Sequence, residues 1–155
     1  FHEDIETCIQ ENIKINKPKS AKKYIPTHHL LLIDLDHFKR VNDKLGHAQG
    51  DQFISAIGSY LTTLPNSHSY RIGGAEFAIL TTLQNQEEIY SLAKQTLDYI
   101  KKIPLPAQIL HPTASIGILP LLPQFQSGEE WYRQTDKELY QAKRQRDNIV
   151  FSTNI

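Results

Sequence analysis

The apolar positions of this chain fall into blocks of helical and strand periodicity, and the order of those blocks fixes most of what can be expected of the fold. Phe1, Ile5, Ile9 and Ile13 recur every four residues, which predicts a short amphipathic helix with one stripe turned to the body. His29-Leu30-Leu31-Leu32-Ile33-Asp34-Leu35 is a nearly continuous apolar run bounded by polar residues, the pattern of a central strand covered on both faces. Phe38, Val41 and Leu45 return to helical spacing, with Asp36 placed as N-cap and Gly46 as the stop. A second helix carries Phe53, Ile54, Ile57, Tyr60, Leu61 and Leu64, is expected to open at or beside Asp51, and ends by Pro65-Asn66. Tyr70-Arg71-Ile72 and Phe77-Ala78-Ile79-Leu80 flank Gly73-Gly74, which predicts a hairpin with a two-residue turn whose glycines take positive φ. Ile89, Leu92, Ala93, Leu97 and Ile100 stripe a helix from Glu87 to Lys102. Thr113 to Leu119 forms a strand broken by Pro120 and Pro123, Gly128 to Gln145 a last helix, and Ile149-Val150-Phe151 a short edge strand.

After the amino-terminal helix the order is β-α-α-β-β-α-β-α-β, which suits an α+β fold with a mostly antiparallel central sheet flanked by helices. A chain of 155 residues is one ordinary domain, divided into the helix and a basic loop over residues 1–26 and a core over 27–155. Lys17, Lys19, Lys22 and Lys23 stand in that loop among Pro18, Ser20 and Pro26 without interleaved aromatic residues, the composition of a solvated loop rather than of a nucleic-acid arm. Seventeen basic and seventeen acidic residues cancel, so bulk charge argues for neither nucleic acid nor an anionic membrane surface. Cys8 is the only cysteine, which excludes an internal disulfide and fits the reducing cytoplasm. No apolar run approaches the roughly 20 residues of a membrane span, so membrane contact is not expected from this segment and any anchor would lie elsewhere in a parent protein. The chain starts at Phe1 and contains no methionine, as expected of a piece of a longer protein whose sensory or effector domains lie outside it.

Candidate chemistry gathers at the end of the first strand. Asp34 and Asp36 are two apart, so an extended backbone turns both side chains to one face. Such a pair of hard oxygen donors suits Mg²⁺. Asp34 closes an apolar run, where a carboxylate without a partner is costly. The helix after His37 offers free N–H groups to an anion, and Lys39 adds a point charge. Taken singly, Lys39 is a solvated lysine, Asn42 a helix-surface residue and Asp51 an N-cap. Together, from Phe38 to Asp51, they complete the pattern F-K-x-x-N-D-x-x-G-H-x-x-G-D. With LLIDLDHFKRVND, the hairpin RIGGAEF and the segment TDKELYQAKRQRDN, the chain from about Ile5 to Phe151 resembles the GGDEF family, the bacterial diguanylate cyclases.

The resemblance implies a palm-like nucleotidyl-cyclase core and a site that joins two GTP molecules into cyclic di-GMP. It implies Mg²⁺ on Asp34 and the Leu35 carbonyl, phosphate contacts from Lys39 and Lys143, and guanine contacts from Asn42 and Asp51. One carboxylate can accept from both N1–H and the exocyclic amine of guanine, a pair that adenine lacks. The signature hairpin is Arg71, Gly73, Gly74, Ala75, Glu76 and Phe77, and its third position is normally an acidic second metal ligand that helps activate the attacking 3′-hydroxyl. Ala75 can do neither, so the resemblance leaves the catalytic set broken and Mg²⁺ binding weak or lost. Glu76 is adjacent, but on a regular strand it faces the other side unless the turn shifts register. Asp136, Leu139, Tyr140, Ala142, Lys143 and Asn148 match the carboxy-terminal family pattern, whereas its glycine-arginine pair is Arg146-Asp147, an acid in place of a phosphate-binding cation. Arg144 belongs to a charged outer face. Leu64-Pro65-Asn66-Ser67 stands where the product-inhibition motif R-x-x-D is expected, so feedback binding of cyclic di-GMP is not expected there. Active members of the family work as homodimers. Three functions remain open: a degenerate domain that binds GTP or serves as a regulatory or dimerisation module, an active cyclase or one silenced by substitution at position 75, and a ligand-free interaction domain.

Overall fold

Burial of the run His29–Asp36 on both faces, at every position but the half-buried Asp34, organises the molecule. The computed structural model describes residues 1–15, 24–106 and 112–152; the basic stretch of residues 16–23 lies outside them. The elements are α1 (His2–Ile15), β1 (His29–Asp36), α2 (Phe38–Leu45), α3 (His47–Leu61), β2 (Ser67–Arg71), β3 (Glu76–Thr81), α4 (Gln86–Lys102), β4 (Thr113–Pro120), α5 (Gly128–Gln145) and β5 (Asn148–Phe151). The strands form one sheet in the order β2-β3-β1-β4-β5. Every pairing is antiparallel except β4 with β5. The sequence thus yields the order and class of the elements, and β1 holds the centre.

Alternation along the strands divides the core into two layers. Leu30 and Leu32, with Ala78, Leu80 and Leu119, pack under Ile5, Ile9, Trp131 and Leu139 of α1 and α5. Leu31, Ile33 and Leu35, with Phe77, Ile79 and Ile116, pack under α3 and α4. Trp131 is fully buried and its indole N–H donates to the Leu119 carbonyl (3.2 Å), so the largest apolar side chain in the layer is also polar-satisfied. Cys8 sits in the same layer, where burial first, and then the charges of Glu11 and Asp4, push its thiol to about 11 and keep it protonated. No helix among the described residues is long and apolar enough to cross a membrane.

Two expectations about helix starts are corrected. α3 opens at His47, four residues ahead of Asp51, because Gly46 takes φ 84° and reverses the chain directly after α2. That backbone is open to glycine and strained for other residues. Asp36 does not cap α2 either. The N-cap position is His37, in the left-handed region at φ 57° with no side-chain cap bond, and Asp36 turns inward.

α5 approaches the sheet closely at one point. A β-carbon added to Gly117 on β4 would stand 2.2 Å from the backbone nitrogen of Leu139 and 2.7 Å from its Cα. Both partners are backbone, so neither can swing aside. We expect Gly117→Ala to lose roughly 3 kcal/mol or more in denaturant unfolding, because the helix must be lifted off the sheet. His29 supplies a second test. It is 2 % exposed, its Nδ1 has no hydrogen-bond partner among the described residues, and burial drives its pKa from 6.5 to about 4, with the Leu83 backbone opposing only in part. The folded state therefore resists protonation that the unfolded chain accepts. Stability is full above pH 6.5 and falls toward pH 4, by on the order of 3 kcal/mol. His29→Leu should flatten the pH dependence in that window.

Candidate active site

Asp36 is the most constrained polar residue at the carboxyl end of β1. Its side chain is fully buried, yet every direction is matched: Thr113 Oγ1 (2.7 Å) and Ser115 Oγ (2.8 Å) on β4 donate to it, as does the backbone N–H of Asp147 (2.9 Å). Lys143 Nζ on α5 lies 3.6 Å from Asp36 Oδ1 and 3.0 Å from Asp34 Oδ2. One ammonium thus bridges both aspartates, as expected for residues two apart on one face. Asp36 joins β1, β4 and the α5–β5 turn, a structural role that the N-cap assignment hid. Thr113 and Ser115 alternate on β4 opposite Asp36 and Asp34, the signal in the sequence from which the role could have been found.

The hairpin corrects a further expectation. β2 and β3 pair Arg71 with Phe77, and Ile72 N–H donates to the Glu76 carbonyl (3.0 Å). The loop is therefore Gly73-Gly74-Ala75, one residue longer than a two-residue turn, and neither glycine takes positive φ. Its shape is held by Arg71, whose Nε and Nη2 donate to the carbonyls of Gly73 (3.2 Å) and Gly74 (2.9 Å). On the β1 side, Leu35 N–H donates to the Ala75 carbonyl (3.1 Å) and Asp34 pairs with Glu76.

One residue of register decides which side chain faces which way. Glu76 shares the face of Asp34 and Lys143, whereas the Ala75 methyl packs on the opposite apolar layer. Residues 75 and 76 thus face opposite sides, as expected of successive residues on a strand, and it is Glu76 that stands on the side of Asp34. Burial first, then the charges of Asp34 and Asp136, raise the Glu76 carboxyl above its ordinary 4.5, and Lys143 opposes them. Asp136 on α5 is raised likewise by burial and by Asp34. Tyr132, half-buried one turn earlier, feels both Asp136 and Glu76. Asp136, Glu76 and Lys143 thus form with Asp34 a face that holds more negative than positive charge. Among the described residues no group of three or more His, Cys, Asp or Glu side chains is arranged to hold a metal ion.

At the α2–α3 junction the Asn42 amide lies against Gly50, the residue before Asp51. Asp51 opens onto a cleft of about 540 Å³ between α3 and the hairpin, lined also by Ser55, Arg71 and Phe77. Lys39 is exposed on the first turn of α2 and, among the described residues, makes no ion pair. Asp147 keeps its backbone on Asp36 while its carboxylate turns away to Lys101 on α4 (2.7 Å). The acid that stands at the family's arginine position is thereby neutralised from another element.

A mostly antiparallel sheet in this order, with paired carboxylates at the end of its central strand and a glycine-rich hairpin beside them, defines a domain of the nucleotidyl-cyclase class. The chain belongs to the GGDEF family: residues 7–149 match the family described as "Diguanylate cyclase, GGDEF domain". It is 36 % identical over 118 residues to the Escherichia coli protein named "Probable diguanylate cyclase DgcC", covering 74 % of this chain and 32 % of that protein. It is 31 % identical over 117 residues to "Cyclic di-GMP phosphodiesterase NbdA" of Pseudomonas aeruginosa, covering 74 % of this chain and 15 % of the other. The chain thus spans a third or less of these relatives. Its fold superposes on the structure of "the active GGEEF domain of a diguanylate cyclase from Vibrio cholerae" with a TM-score of 0.81 at 24 % identity, covering 99 % of this chain and 95 % of that one. These relationships connect the domain with the diguanylate cyclases of cyclic di-GMP signalling.

Arg146 carries a conformational cost that the family's glycine would not. Its φ of 59° and ψ of 164° lie in a region that is nearly exclusive to glycine. Arg146→Gly should raise unfolding stability by roughly 1–3 kcal/mol in a denaturant titration, with the Asp36 to Asp147 bond retained.

Proposed function

We propose that this domain binds GTP with little or no cyclase activity and acts in cyclic di-GMP signalling as a regulatory or dimerisation module. The observation that carries this reading is Ala75, a methyl at the loop position beside Leu35 where catalysis calls for an acid. Around it the binding groups persist. Asp51 accepts from guanine N1–H and the exocyclic amine, and Asn42 contacts the same base. Lys39, Lys143 and the first N–H groups of α2 hold the phosphates. Asp34 and the Leu35 carbonyl would hold a divalent cation together with substrate phosphates, at a face where burial and then the charge of Asp34 raise the Glu76 carboxyl. Mg²⁺, when bound, would neutralise phosphate charge, and without an acid at position 75 it would be held more weakly. At position 75 nothing can take the proton of a 3′-hydroxyl. A relative named for phosphodiesterase rather than cyclase activity is in keeping with a domain of this family serving beside another activity. Partners are then guanine nucleotide, a second copy of the chain and other domains of the same protein, in the cytoplasm, without nucleic acid or membrane contact from this segment.

Turnover by the chain as it stands is the competing reading, and it draws on Glu76, a carboxylate of raised pKa beside Asp34 that could serve as base. Incubation with GTP and Mg²⁺ distinguishes the two. We expect heat of GTP binding in calorimetry and no accumulation of cyclic di-GMP, with Ala75→Asp raising product formation roughly a hundredfold or more. Product at ordinary cyclase rates from the unsubstituted chain would overturn the proposal. Absence of binding heat at millimolar GTP would leave a ligand-free interaction domain.

A further inference from the structure

The Lys143 ammonium lies 3.0 Å from Asp34 Oδ2 and 3.6 Å from Asp36 Oδ1, and the two aspartates depend on it unequally. The Asp36 side chain is fully buried but accepts from Thr113, Ser115 and the Asp147 N–H as well, so it remains matched when the lysine leaves. Asp34 is 20 % exposed, and among the described residues that ammonium is the only partner of its side chain. Asp34 is also the carboxylate assigned to a divalent cation. A cation drawn there meets a positive charge already seated on one of the two oxygens. Mg²⁺, which demands near-ideal geometry and gives up water reluctantly, tolerates such a neighbour poorly. The lysine is able to turn away: it stands in the last turn of α5, 30 % exposed, on a flexible four-carbon stem. Its N–H donors serve the stronger anion, and a triphosphate carries more charge than one carboxylate.

We propose that Lys143 is an internal counter-ion that keeps Asp34 from divalent cations until a nucleoside triphosphate draws it away, so that metal binding waits on nucleotide. The inference rests on the nucleotide reading above and deepens it: the turn of Lys143 toward phosphate becomes the step that frees the metal ligand. Before nucleotide arrives, one ammonium offsets one carboxylate, and Asp34 has little charge to offer a cation. Once the ammonium faces phosphate, Asp34 regains its charge, and the phosphates add oxygens to that of the Leu35 carbonyl. Asp36 does not follow the lysine, because its other donors are fixed on β4 and at the α5–β5 turn. Ala75 sharpens the dependence, since no acid at that position gives the cation a second hold.

Two titrations of the same variants separate this role from a merely structural one: Mn²⁺ alone, followed by its paramagnetic resonance, and GTP in the presence of a chelator. We expect Lys143→Met to strengthen Mn²⁺ binding roughly tenfold and to weaken GTP by a similar factor. The opposite signs are the signature, because a disturbed fold weakens both. Lys143→Arg, which keeps the charge, should leave Mn²⁺ affinity near that of the unsubstituted chain, and adding Asp34→Asn to Lys143→Met should abolish the gain. Lys143→Gln carries the same comparison if Lys143→Met does not fold. Mn²⁺ affinity unchanged or lowered on removal of the charge, an equal gain in Lys143→Arg, or a gain that survives Asp34→Asn would overturn the counter-ion role while the nucleotide reading stands. Failure of the unsubstituted chain to bind GTP would overturn that reading and the release of Lys143 with it.

Discussion

Burying the Asp36 carboxylate obliges three separate elements to converge on one pair of oxygens. A carboxylate with no exposed side-chain surface must be matched by donors or forfeit several kcal/mol. The donors are hydroxyls of β4, a backbone N–H just beyond α5, and an ammonium of α5 itself. That convergence sets where α5 lies, and the close backbone contact at Gly117 lets the helix come near enough. Once α5 is docked, Lys143 and Asp136 stand beside Asp34 by necessity. The geometry of the site follows from satisfying a buried charge.

The face so built is electrostatically uneasy. Glu76 and Asp136 are both held above their ordinary carboxyl pKa by burial and by the charge of Asp34, and Lys143 is the one cation that opposes this for Glu76. Like-charged carboxylates in close register cost stability in the folded chain. Ala75 leaves that face intact because its methyl belongs to the other layer.

Departures from the family pattern have been absorbed elsewhere in the structure. Asp147 is neutralised by Lys101 across a loop, and Arg146 accepts a glycine-like backbone so that the N–H of Asp147 still reaches Asp36. The hairpin is tied both to β1, through Leu35, and to the amino-terminal segment, through the Tyr70 hydroxyl that donates to Asp4 of α1 (2.6 Å) and the Phe1 ring 5.3 Å from that of Tyr70. The first helix and the loop that carries position 75 are therefore parts of one packed unit.

What the sequence by itself determined was periodicity and composition: the apolar run of β1, the helical stripes of α4 and α5, the order of strands, and the motif spacing that brings Asp34, Lys39, Asn42, Asp51 and Lys143 into a single reading. These are local properties, carried by neighbours a few residues apart. Tertiary structure decided the rest. Asp36 could be read as a cap because an N-cap needs only the following helix, whereas its true partners lie 77 to 111 residues away. The hairpin loop takes three residues rather than two, with Arg71 donating to its carbonyls, and the pairing of β3 with β1 sets Glu76 opposite Asp34. Facing and register depend on contacts between strands that no local pattern encodes, and so the identity of the carboxylate beside Asp34 was a property of the fold.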